Sequence, residues 1–64
     1  MSEIKIGSSV KVNINRVENM WIEVTEINGS KIKGKIDEHP IKLEEVEFGD
    51  FVEFEKDNVI NQLD

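Results

Sequence analysis

The chain has 64 residues, with fourteen Asp and Glu against eight Lys and Arg, a net charge of -6, one histidine and no cysteine. That length makes one domain, residues 1–64, which buries only about 60% of the surface its unfolded form exposes. Disulfides and thiolate metal sites are excluded, a lone histidine builds no zinc site, the acid excess opposes binding to phosphates, and no apolar stretch approaches the ~20 residues that span a bilayer.

Stability must then come from good β packing, with weak self-association as a further source. Residues 1–6 carry Glu3 and Lys5 and lack an apolar signal region. Together with the missing cysteines this predicts a cytoplasmic protein with no membrane contact.

Gly7-Ser8 is a turn signal, and Val10, Val12 and Ile14 then alternate with Lys11 and Asn13. A period of two is the mark of a half-buried strand. Residues 20–27 form the next strand, with Met20, Ile22 and Val24 on one face and Trp21, Glu23 and Thr25 on the other. Asn28-Gly29 is a hairpin turn signal. The third strand, residues 31–37, sets Ile32, Gly34 and Ile36 opposite to Lys31, Lys33 and Lys35.

A two-residue Asn28-Gly29 loop would mix the apolar and charged faces, which is costly when one face is buried. A three-residue loop, Ile27-Asn28-Gly29, is therefore expected, with Gly29 left-handed in a type I turn and G1 bulge. It pairs Val24 with Ile32, Ile22 with Gly34 and Met20 with Ile36. On the outer face it pairs Thr25 with Lys31, Glu23 with Lys33 and Trp21 with Lys35. Gly34, in mid-strand, reads as the glycine of a sheet corner.

Pro40 ends the strand, because proline donates nothing to a ladder. Ile41 and Leu43 alternate briefly, and residues 44–47 form a loop or one helical turn. Phe48-Gly49-Asp50 turns the chain into residues 51–55, where Val52 and Phe54 alternate with Glu53 and Glu55 and Phe51 falls on the outer side. Asp57 is expected to cap a short helical turn through Val59, Ile60 and Leu63. The stretch from Ile6 to Val12 echoes that from Phe48 to Phe54, each reading apolar, Gly, small polar, any, Val, charged, apolar. We read this as one device used twice, a glycine turn that aims a strand into a sheet. The expected fold is all-β: a small SH3-like antiparallel barrel, or a strongly bent sheet of four or five strands, with a short C-terminal helical turn.

Residues 20–29, Ile32 through Ile36, His39-Pro40, Phe48-Gly49-Asp50, Val52-Glu53-Phe54 and Ile60 resemble a small bacterial domain of unknown function, the YegJ-like domain, itself similar to some toxin-immunity domains. The shared order is Trp-x-x-Val, Gly, Pro, then Gly-Asp-x-Val. The chain departs from it at His39, where Asp or Asn is expected, and in the charged Glu44-Glu45 loop. The resemblance implies a compact β fold and brings no activity with it.

No serine, cysteine or second base accompanies His39, so it reads as a turn histidine rather than a general base, and no enzyme is expected. Glu44, Glu45, Glu47, Asp50, Glu53 and Glu55 lack the spacing of a calcium loop and read as a solvated acidic face. No cofactor and no metal are expected. Trp21 points away from Ile22 and Val24: it either marks a contact surface, or a strand bend or the N-terminal segment covers the indole and makes a second small core. The expected function is a non-enzymatic interaction module whose protein partner meets Trp21, Glu23, Lys33 and Lys35, with an immunity or antitoxin role as one version. The alternative is a nucleic-acid-binding barrel that uses the lysine stripe of the third strand, which Glu23 partly neutralises and the net charge disfavours.

Overall fold

The computed structural model describes residues 3–42 and 44–63. Five strands form one antiparallel sheet: β1 (Ser9–Ile14), β2 (Glu18–Asn28), β3 (Lys31–Ile36), β4 (Phe51–Glu55) and β5 (Val59–Leu63). Their order is β4-β3-β2-β1-β5, so the first four strands meander and the last returns beside the first. β4 and β5 are the two edges and do not pair with each other, so the sheet is not closed into a barrel.

The core lies on one face of this sheet. Val10, Val12, Met20, Ile22, Val24, Ile32, Ile36 and Phe54 are buried, and they are the alternate residues of β1 to β4. No second layer of strands or helices packs over them among the described residues. The sheet therefore curls its apolar face inward around them, and Ile4, Ile14, Val46, Val52 and Val59 fill the rim.

Gly34 makes the curl possible. A Cβ there would collide with Ile22 Cγ2 and stand 2.7 Å from the Glu23 carbonyl oxygen. Only hydrogen fits between β2 and β3 at this point, which is the close approach expected of a corner glycine.

The β2–β3 hairpin corrects the expected register. The loop is Gly29-Ser30, with Asn28 opposite Lys31, Ile27 opposite Ile32 and Glu26 opposite Lys33. Gly29 has φ +65°, as a type II′ turn requires of its first central residue. A two-residue loop does put the wrong parity next to the turn, and the chain restores it with a bulge at Thr25. Beyond the bulge Val24 faces Gly34, Glu23 faces Lys35 and Ile22 faces Ile36. The Thr25 hydroxyl donates to the Lys33 carbonyl at 3.3 Å within the bulge.

The echo between residues 6–12 and 48–54 is structural. Gly7 and Gly49 have φ +94° and +90°. Each donates its N–H to a carbonyl of a neighbouring strand, Gly7 to Val24 and Gly49 to Ile36. Ser8 N–H bonds back to Lys5, as Asp50 N–H does to Glu47. Ser8 Oγ and Asp50 Oδ2 accept from the N–H of Lys5 and Glu47, both at 2.9 Å. The same hydrogen-bonded turn thus launches β1 and β4.

The expected C-terminal helical turn is displaced and shortened. A 3-10 turn spans Lys56–Asn58, and Val59, Ile60 and Leu63 belong to β5 instead. Its cap is Glu55 rather than Asp57: Glu55 and Asn58 exchange side-chain and backbone bonds, with Asn58 Oδ1 accepting the Glu55 N–H at 3.0 Å. Strand β5 wins over a helix because Lys11 and Ser9 offer it an open edge of β1. Among the described residues of 37–50 there is no strand; Leu43, part of the expected alternation there, lies outside the described residues.

Two substitutions test this account. Gly34→Ala should lower stability by about 2 kcal/mol through overpacking, read as a fall in the denaturation midpoint with β content retained. Arg16→Gly should raise it. Asn15 and Arg16 occupy the turn between β1 and β2 with φ +51° and +61°, and the Val17 N–H closes that turn on the Ile14 carbonyl. Both central residues of a type I′ turn are left-handed, and a glycine at the second relieves about 1 kcal/mol. An unchanged or lower midpoint would show that Arg16 is held there by contacts of its own.

Candidate interaction surface

The curl leaves the other face of the sheet outward, and all four expected site residues stand on it. One row across the sheet runs Phe51, Lys35, Glu23, Ser9 and Leu63. Lys33 sits between Glu26 on β2 and Glu53 on β4, and Lys31 between Asn28 and Glu55. Glu23 and Lys35 are exposed, whereas Trp21 and Lys33 are half-buried.

Trp21 is held differently from expectation. Its cross-strand neighbour is Lys11 on β1, not Lys35, and the Lys11 ammonium lies 5.4 Å from the indole centroid. Its backbone is clamped by the start of the 37–50 loop. The Trp21 carbonyl accepts the Asp37 N–H at 2.9 Å, and the Trp21 N–H donates to Glu38 Oε1 at 2.9 Å. A carboxylate thus takes the place of the next rung of the β2–β3 ladder, where β3 has ended. The two glutamates that position the loop carry no sequence signal for it: Glu18 likewise accepts the N–H groups of Ile41 and Lys42 at 2.9–3.2 Å.

Phe51 is the second ring on this face, 59% exposed, with Lys33 Nζ 5.5 Å from its centroid. One strand, β3, separates it from Trp21, and the lysines of that strand lie between the rings, so the rings do not form one apolar patch. Each of those lysines meets at least one glutamate. The Lys31–Glu55 pair is the tightest, at 3.6 Å, and both side chains are largely exposed, so it contributes little to stability. The arrangement is a surface of alternating sign bounded by two aromatic rings, each under an ammonium group.

His39 is exposed and stacks on Phe48, with ring centroids 5.0 Å apart. Together with Pro40, Glu44, Val46 and Glu47 they line an open concavity of about 650 Å³. The acidic residues do not converge. Asp50 is turned onto the Glu47 N–H, and Glu55 onto Ser30 and Lys31. Among the described residues no three His, Asp or Glu side chains gather as metal ligands would, and no helix is long and apolar enough to cross a membrane.

The family model of DUF2314, an uncharacterized protein conserved in bacteria, matches residues 1–63. The chain belongs to this family. No curated protein and no solved structure matches it. The outward face and clamped Trp21 described above are thus features of a DUF2314 domain.

The Glu38 clamp makes a prediction. Glu38→Ala removes the acceptor of a half-buried N–H and should cost about 1 kcal/mol, with a red shift in Trp21 emission as the strand end loosens. Glu38→Gln, which retains an acceptor oxygen, should recover most of both. Equal behaviour of the two variants would show that Glu38 does not hold Trp21.

Proposed function

We propose that this DUF2314 domain is a non-enzymatic protein-interaction module that meets its partner through the outer face of the sheet. The supporting observation is that Glu23, Lys35 and Phe51 are exposed side by side with no element of the described chain above them. Trp21, Glu23, Lys33 and Lys35 form the contact, with Phe51 at its border. Rings at the rim supply apolar area, and the alternating charges supply orientation and selectivity.

The YegJ-like and toxin-immunity resemblance suits this reading, because a chain of net charge -6 complements a basic toxin. We read the open sheet as an SH3-like barrel lacking its closing pair, on the ground that one sheet alone surrounds the core. The lysine stripe favours a protein over a nucleic acid. Lys33 and Lys35 already face glutamates, so phosphates would have to displace them.

A photo-crosslinking residue in place of Glu23 should capture one defined bacterial protein, and the capture should fall when Lys35→Glu inverts the neighbouring charge. The same crosslinker at Asp57, away from the face, should capture nothing specific. Equal labelling from both positions would remove the outer face as the contact.

A further inference from the structure

The two edges of the sheet are not equivalent. Hydrogen-bond phase shows this. Lys56 N–H donates to the Ser30 carbonyl and Ile36 N–H to the Asp50 carbonyl. In an antiparallel pair the residues that exchange bonds alternate with those that do not. The register of β3 and β4 therefore directs the backbone groups of Val52 and Phe54 to β3 and those of Phe51, Glu53 and Glu55 away from the sheet. Asn58 covers the Glu55 N–H. No described residue covers the N–H and C=O groups of Phe51 and Glu53.

At the other edge the same phase runs through β1. Val24 N–H donates to Ser8 and Gly7 N–H to Val24, so the odd residues of β1 face β5. Among the paired residues of β5 this leaves Gln62 and Val59 directed outward; the Gln62 N–H is covered by Asn61 Oδ1 at 2.8 Å and the Val59 N–H by the Lys56 carbonyl. Ile60 is bulged out of register. A bulge and a side-chain cover are ways in which an edge strand is protected from further pairing. β4 has neither bulge nor proline nor lysine.

We propose that β4 is a docking edge for an extended strand of a partner protein in which lysine or arginine alternates with aliphatic residues. This deepens the interaction reading by naming a second contact and the chemistry of what it takes. The inner side of the edge opens on a groove of about 420 Å³, where Ile14, Val46, Val52 and Phe54 present apolar surface. The outer side presents Glu53, and beyond it Glu55, whose carboxylate already meets Lys31 and Ser30. An added strand lies about 4.8 Å from β4 and projects alternate side chains to the two faces. Aliphatic residues would enter the groove and a cation would stand against Glu53. A second copy of the chain is a poor occupant, because the antiparallel register that pairs all of β4 with itself sets Glu53 against its own counterpart.

The probe is a seven-residue peptide of alternating valine and lysine, added to the full chain while amide exchange is followed by NMR. The Phe51 and Glu53 amides should become protected, and binding should weaken with salt. The phase makes a sharper demand. In an antiparallel pairing, which every other pair of this sheet uses, the lysine N–H groups point at β4, so N-methylation of the lysines should abolish binding, while N-methylation of the valines should leave it. A glutamate-for-lysine peptide should bind about tenfold more weakly. Equal effects of the two N-methylations, protection at Gln62 instead, or no protection at all would overturn the proposal. So would protection of Phe51 and Glu53 that grows with protein concentration alone, since a second copy would then be the occupant. A positive cross-link from position 23 with no peptide at β4 would leave the outer face standing and remove the edge.

Discussion

One constraint governs this molecule: a single sheet has to enclose its own core. Apolar faces must be covered, and in most domains a second layer does the covering. Here five short strands bend around eight buried side chains, and the tightest point of the bend is the contact of Gly34 with Ile22 and the Glu23 backbone. A methyl group there would push β2 and β3 apart where the sheet turns. The bulge at Thr25 belongs to the same device, since a bulge adds local twist and bend to the strand that carries it.

The functional surfaces follow from that economy of layers. With the concave face committed to the core, the convex face is left to solvent, and it carries charges of both signs between two rings. Curling without closure also leaves two edges. β5 is covered by its own side chain and bulge, whereas β4 keeps open backbone groups beside Glu53 and a groove of mixed apolar and amide lining. The long 37–50 loop is held by carboxylates that accept backbone N–H groups, Glu38 from Trp21 and Glu18 from Ile41 and Lys42. Such charge-assisted bonds are stronger than neutral ones, which suits a loop that has no ladder of its own.

The chain reuses one turn to start two strands. The matching bonds around Gly7 and Gly49 include the carbonyl contact to the next strand, the turn bond, and the side-chain acceptor at the following residue. The two sites differ where the surroundings differ: Ser8 serves in one and Asp50 in the other. A pattern of seven residues was enough to see the device, because the turn needs only a glycine followed by a short side chain that accepts a hydrogen bond.

By itself the sequence determined which residues face inward. Alternation has a period of two, so Val10, Val12, Met20, Ile22, Val24, Ile32, Ile36 and Phe54 could be read as core, and Trp21, Glu23, Lys33 and Lys35 as outward. Register lay beyond it, because a shift of two residues leaves every side chain on the same face and the alternation unchanged. The tertiary structure decided between those registers with a Gly29-Ser30 loop and a compensating bulge, and so gave Lys35 to Glu23 rather than to Trp21. It also brought Lys11 to the indole, Glu38 to the Trp21 backbone and β5 to β1. Those are contacts between segments distant in sequence, and they depend on which strand edges the fold leaves open, something no local pattern encodes.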